Sequence, residues 1–331
     1  VCIVLVGLTY DLKDEYLAQG FDAELVSECD SPVTINALEK TLRDLGYETE
    51  RVGNLQSLVQ ALAQGKRWDV VFNIAEGLFG LLRESQIPAL LDGYRIPYVF
   101  SDSFVLAVCL HKGMAKDVVA KAGVPTAPWQ VVSQWEQTRS LGLGFPLFLK
   151  PVAGGTGIGI SKNSKVSNQT ELETTCRRLL AQYGQPVLVE PFLSGREFTV
   201  GIVGTGDAAQ SVGVMEIVVD HARDGGIYSY ASKQEYETCT RYEKPSVEVA
   251  GQCERVALGA WNALGCRDGG RVDLKMDGNG QVQFLEVNPL AGLHPIDSDL
   301  PILCRMHGLD YTGLLSRIME SATKRLGLCM S

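Results

Sequence analysis

Basic charge is scarce in this 331-residue chain: 30 lysines and arginines face 39 aspartates and glutamates, for a net charge of −9. A protein that grips a nucleic-acid backbone needs a basic face, so that class of partner is excluded. A local basic pocket for a small anion stays open. No apolar run approaches the ~20 residues that cross a bilayer, so no membrane partner is expected. The apolar opening "VCIVLVGLTYD" is short and has no basic lead. It reads as a first buried strand, not a signal peptide. The nine cysteines never form C-x-x-C, which argues against zinc ribbons and thioredoxin-like redox chemistry. Scattered and odd in number, they read as reduced thiols filling core positions in a cytoplasmic protein.

What is present is an ordinary globular composition, 45% hydrophobic and 21% charged, and a length that suggests two or three domains. The first hundred residues alternate strands ("CIVLVG", "YETERV", "WDVVFNI", "PYVFS") with helices ("INALEKTLRDLG", "LQSLVQALAQG", "RESQIPALLDGY"). That is a βαβαβ pattern, hence a parallel sheet with helices on its faces. Residues 1–103 are expected to form this α/β domain. A second unit, 104–190, carries a helix, the strand "FPLFLK", a glycine-rich loop, the strand "IGISK", a helix and the strand "PVLVEPFL". A third, 191–331, is antiparallel in character and ends in helices.

"DGNG" at 277–280 marks a hairpin turn. A Gly278-Asn279 loop pairs 275 with 282, 273 with 284 and 271 with 286. One sheet face then carries Arg271, Asp273 and Lys275 with Val282, Phe284, Glu286 and Asn288. A loop one residue longer or shorter breaks that parity. Two carboxylates and an amide oxygen suit Mg²⁺, which fills its shell from a few carboxylates, waters and substrate phosphates. The alternative is a surface ion-pair cluster of little energetic weight.

"FLKPVAGGTGIGISK" supplies a phosphate partner for such a metal. Lys150 ends a strand, and Gly154, Gly155, Gly157 and Gly159 let backbone amides approach an anion. No G-K-[ST] closes the loop and no helix opens after it, so it is neither a Walker A loop nor a dinucleotide fingerprint. A plain hairpin tip is the competing reading, and Lys112 upstream tips the balance toward a triphosphate. In "VLVEPFLSGREF", Glu190 lies among apolar residues and Glu197 follows. An apolar strand of this kind suits a flat base, and the second acid suits ribose hydroxyls or a salt bridge.

These motifs, "FPLFLKPVAGGTGIGIS", "VLVEPFLSGREFTVGI", "GRVDLKMDGNGQVQFLEVN" and "PLAGLHP…SDLP", closely resemble the D-alanine–D-alanine ligases of the ATP-grasp superfamily. The likeness is strong over 145–292 and weaker over the first hundred residues. It implies an ATP-grasp fold and an ATP-dependent reaction in which a carboxylate becomes an acyl phosphate and an amine displaces the phosphate. It implies ATP and two Mg²⁺ ions, with Mn²⁺ able to substitute, held by Asp273, Glu286 and Asn288. By the same resemblance Arg271, Lys233 and Thr156 are catalytic, Arg271 stabilising the acyl phosphate and the tetrahedral oxyanion. Lys112, Lys150, Lys233 and the loop residues Gly155, Thr156 and Gly157 contact phosphates. Glu190, Phe192, Leu193 and Leu285 line the adenine pocket, and Glu197 takes the ribose. Glu76, Gly292, His294 and Ser298 fall at the amino-acid sites. A homodimer is the family's usual state.

The amino-acid half departs from the family. The N-terminal glutamate that orients the first substrate cannot be placed in "GLTYDLKDEY" or "ECDSPVT". Glu76-Gly77 stands where the family has His-Gly, Gln234 where it has a tyrosine, and "NPLAGLHPIDSDLP" where it has Asn-x-x-Pro-Gly-Met-Thr. Glu76 suits a cationic group such as a substrate ammonium, or equally a helix start whose dipole favours a carboxylate. A carboxylate–amine ligase is implied, D-alanine–D-alanine ligase-like. The rivals are a ligase that makes another dipeptide or amidates a secondary metabolite, and a nucleotide-binding regulatory protein without turnover.

Overall fold

Helix starts in this chain are set by short polar caps. Ser31 accepts the Thr34 amide before Pro32–Asp44 (α2), with proline at the first turn where no amide is needed. Asn54 caps Leu55–Ala63 (α3) in the same way. The computed structural model describes residues 4–155, 157–219 and 240–328. Thr156, Lys233 and Gln234 lie outside them.

Leu5–Thr9 (β1), Glu48–Gly53 (β2) and Val70–Asn73 (β3) form a parallel sheet in the order β2-β1-β3. "PYVFS" adds only an isolated bridge, Tyr98 to Val71, and not the expected strand. Phe100 turns to a positive φ of 76° and gives its amide to Asp268, so the chain leaves the sheet there.

The second sheet is antiparallel, β4-β7-β5-β6. It comprises Gln130–Val132 (β4), Leu147–Pro151 (β5), Lys165–Val166 (β6) and Val187–Pro191 (β7). The glycine-rich segment departs from expectation. "IGISK" is not a strand: Ile158 N bonds Gly155 O and Ile160 N bonds Gly157 O, closing consecutive turns. Gly159 has φ +75°, and a Cβ there would sit 2.6 Å from Pro151 Cγ. The returning strand comes later, at Lys165–Val166.

The third sheet is antiparallel, β10-β9-β8-β11-β12. Its strands are Glu197–Val203 (β8), Gln210–Val219 (β9), Thr240–Glu243 (β10), Gly269–Met276 (β11) and Val282–Asn288 (β12). One face packs on the helix Val247–Leu264 and on Ser103–Leu110 and Lys112–Lys121, in a core that includes Trp261, Phe198 and Phe284. The helices Asp299–Met306 and Tyr311–Leu326 share a core with the N-terminal sheet and α2. The three sheets therefore enclose a common space. The six described cysteines are free and buried, as core fillers would be. Among the described residues no helix is long and apolar enough to cross a membrane.

Candidate active site

The hairpin β11–β12 is built differently from the simple expectation, yet it delivers the expected face. Asp277 N bonds Gln281 O, and Asp277 Oδ1 accepts the amides of Asn279 and Gln281. The turn therefore spans 277–281, and Met276 pairs with Val282. That shift puts Val282 and Phe284 in the core, not on the site face. A bulge then intervenes: Leu274 pairs with Phe284, but Asp273 pairs with Glu286 and Arg271 with Asn288. Leu285 is the extra residue. Its neighbour Phe284 is held from outside the sheet, its amide by Pro125 O (2.7 Å) and its carbonyl by Thr126 Oγ1 (2.9 Å). The bulge restores the parity that the longer turn would have lost.

Two cavities meet on this face, and both are lined by Glu286 and Asp299. The larger, of about 410 Å³, is lined by Glu76, Lys112, Gly155 and Arg271, and by Asn288, Gly292, His294 and Ser298. The smaller, of about 100 Å³, is lined by Lys150, Gly157, Glu190, Phe192 and Leu193, and by Glu197, Asp273 and Leu285. Every described residue that the family resemblance assigns to the site thus faces one cavity or the other, whereas Gly159, Val282 and Phe284 line neither.

At the junction Arg271 and Asp273 are largely buried, with side chains 12% and 15% exposed, which removes the surface ion-pair alternative. Arg271 Nε lies 3.3 Å from Asp273 Oδ2, and its Nη1 lies 3.7 Å from Asp299 Oδ2. Burial alone would lower the arginine's affinity for its proton. The carboxylates of Asp273, Asp299 and Glu286 more than offset that and raise it. Asp273 also accepts from Thr199 Oγ1 (2.8 Å) and Asn288 Nδ2 (3.0 Å). Glu286 lies 3.2 Å from Lys112 Nζ. Lys112 opens the helix Lys112–Lys121, whose cap His111 accepts the Met114 amide through Nδ1. Its own amide bonds Val152 O, and its ammonium bonds Gly154 O, so it ties the glycine-rich segment to the metal-type face.

One helical turn on, Lys116 is fully buried, and sequence reasoning missed it. It lies 2.7 Å from Glu190 Oε2, while Lys150 lies 2.9 Å from Glu190 Oε1. Burial would raise the Glu190 carboxyl, but the two lysines prevail and hold it down at about 2. Its side chain is therefore a buried counter-ion for two lysines that also borders the base-sized cavity. Glu197 pairs with Lys275 (2.8 Å), and Arg196 pairs with Glu216 instead. In the last loop, His294 Nδ1 accepts the amides of Ile296 and Asp297, and Ser298 Oγ accepts the His294 amide. His294 thus shapes its own turn. A Cβ on Gly292 would lie 2.8 Å from Ser298 Oγ, so the loop packs tightly there.

Acids of the N-terminal segment that sequence reasoning left unassigned also reach the larger cavity. Glu28 and Asp30 line it together with Glu76 and Glu84. Glu28 accepts the Gly155 amide (2.8 Å) and pairs with Arg83 (2.6 Å). The signal was present in "SECDSP", but this acid-rich loop has no strand or helix period to orient it.

The family described as D-ala D-ala ligase C-terminus matches residues 118–320. D-alanine–D-alanine ligase from Bordetella avium is 32% identical, over 87% of this chain and 89% of the relative. The chain belongs to the D-alanine–D-alanine ligase family. The ligase from Rhodospirillum rubrum is 30% identical over 92% of this chain and 96% of its own length. Among solved structures, the VanG D-Ala:D-Ser ligase from Enterococcus faecalis superposes with TM-score 0.75 at 19% identity, covering 97% of this chain and all (100%) of that one. The Bacillus anthracis D-alanine–D-alanine ligase complexed with ATP superposes with TM-score 0.72 at 21% identity, over 97% and 98%. The fold is the ATP-grasp fold of these ligases.

Proposed function

We propose that this chain is an ATP-dependent ligase that joins two amino acids through an acyl phosphate, releasing ADP and phosphate. The observation that carries the reading is the Arg271–Asp273–Glu286–Asn288 face at the junction of a base-sized cavity and an amino-acid-sized one. In this reading the first substrate's carboxylate oxygen attacks the γ-phosphorus and ADP leaves. The second substrate's amine then attacks the acyl carbon, a proton is released from nitrogen, and phosphate departs. Arg271, its charge secured by three carboxylates, is placed to stabilise the oxygens on which negative charge develops. No protein nucleophile is required.

The donor set fits Mg²⁺, with Mn²⁺ as a substitute. It is all oxygen, and Asp273 and Glu286 are cross-strand partners, a carboxylate pair of the kind Mg²⁺ takes when phosphates complete its shell. Asp273, Glu286 and Asn288 would hold the metal, which neutralises phosphate charge. Lys112 and Lys150, with Lys233, Thr156 and the Gly155 and Gly157 amides, would serve the phosphates. Phe192, Leu193 and Leu285 would enclose the base, with Glu190 keeping the lysines in place and Glu197 at the ribose. Glu76, Gly292, His294 and Ser298 would border the amino acids. The division at residues 103 and 190, a cytoplasmic location and a homodimer belong to the same reading. A test is phosphate release from ATP and Mg²⁺ across a panel of amino acids, expected only when a cognate pair is present. A dipeptide other than D-alanyl-D-alanine is the second reading, favoured by the acidic wall of the larger cavity.

A further inference from the structure

Four carboxylates, Glu28, Asp30, Glu76 and Glu84, line the N-terminal wall of the larger cavity. Arg83, behind them, pairs with Glu28 at 2.6 Å and reaches Glu84 at 3.7 Å. Glu28 is further occupied by the Gly155 amide. Glu76 makes no hydrogen bond or ion pair among the described residues, and Asp30 makes no ion pair. The Glu76 loop is nevertheless fixed, because Gly77 N is held by Asp11 Oδ2 at 2.8 Å. Lys112, which also lines the cavity, is committed to Glu286 and Gly154 O. Among the described residues Lys13 is the remaining cation on this wall.

Among the described residues Arg83 and Lys13 set two cations against four carboxyls, so two carboxyls have no cation of their own. Uncompensated carboxylates in an enclosed space are costly, and here burial pushes the Glu76, Glu84 and Asp30 carboxyls upward, aided by Glu84 and Glu28 at Glu76, by Glu28 at Glu84 and by Asp11 at Asp30. A site keeps such groups where its ligand brings the missing charge. One carboxylate is accounted for by the α-ammonium that any amino acid carries. A second ammonium would pair with the other and displace the proton that its raised carboxyl otherwise holds. An alanine methyl group would leave that carboxylate without a partner, which is how a polar site rejects a substrate lacking the matching group.

We propose that the larger cavity selects a diamino acid, whose two ammonium groups are divided between Asp30 and Glu76. This inference rests on the ligase reading for its chemistry. The test compares lysine, ornithine and 2,4-diaminobutyrate with norleucine and alanine, in both stereochemistries, by phosphate release from the full chain with ATP and Mg²⁺. A diamino acid is expected to exceed norleucine by on the order of 100-fold in kcat/KM. Glu76→Gln and Asp30→Asn should each cut that ratio to below about 10-fold, which an effect on folding alone would not do. Norleucine or alanine matching the diamino acids, or a ratio that survives both substitutions, overturns the inference and leaves the ligase reading standing. If no amino acid releases phosphate, the ligase reading fails, and titration calorimetry with lysine against norleucine decides the inference separately. Selective lysine binding that weakens in Glu76→Gln supports it; equal or absent binding overturns it.

Discussion

Glu190 in the smaller cavity and Glu76 in the larger are both enclosed carboxylates, and their surroundings push them in opposite directions. Two buried lysines grip Glu190 and hold its carboxyl down at about 2. Glu76 has only other acids and a more distant arginine, and its carboxyl is raised by burial and by Glu84 and Glu28. A buried charge that is paired within the protein is part of the scaffold. One that is left without a partner at a cavity is a binding group awaiting its counter-charge. By this measure the charges at the smaller cavity are paired within the protein, and in the proposed reading those of the larger are completed by substrate.

The largest way to break this comparison is at the junction. Glu286→Gln keeps the shape but removes the carboxylate that faces Lys112, and turnover should fall by at least about 10³-fold with the melting temperature nearly unchanged. Phosphate-release assays paired with calorimetry check this. Arg271→Lys retains a charge but not the planar fork, and kcat should drop by about 10²–10³-fold.

On the nucleotide side, Lys116→Met leaves Glu190 with one lysine, and stability should fall by about 3–5 kcal/mol in chemical denaturation. Adding Glu190→Gln should recover part of that loss, because no half-paired ion remains.

Opposite pH responses sharpen the contrast. The Glu190 carboxyl stands at about 2 when folded against 4.5 unperturbed, so its contribution is present above about 4.5 and is lost as pH falls toward 2. Asp30 is raised from 3.8 to about 8, first by burial and then by Asp11. The folded chain then binds the extra proton, and stability falls as pH rises from about 4 to about 8. Denaturation midpoints across that range should decline less steeply in Asp30→Asn than in the wild type. The smallest effect is expected from Thr199→Val, which removes one hydrogen bond to Asp273: a loss of roughly 1–3 kcal/mol and a several-fold weaker Mg²⁺ dependence.

The β11–β12 hairpin was legible for reasons that only partly hold. Alternation placed Asp273, Glu286 and Asn288 together, but through a two-residue loop that does not occur. The longer turn and the Leu285 bulge cancel, and the bulge depends on Pro125 and Thr126, remote in sequence. No local pattern encodes that. Helices with good caps and clear periods, such as α2 and α3, were read directly. "IGISK" misled because its β-branched residues resemble a strand while Gly157 and Gly159 take positive φ. Lys116 was missed because its partner Glu190 is 74 residues away in the chain. Asp30 and Glu28 sit in an aperiodic loop that only tertiary packing aims at the cavity.

The most direct measurement is phosphate release by the full chain with ATP, Mg²⁺ and paired amino acids, with the product identified by mass spectrometry. The account predicts release that requires a cognate pair, a dipeptide formed in equal amount, and loss of both in Glu286→Gln. Release that ignores amino acids, or nucleotide binding with no release for any pair, would contradict it.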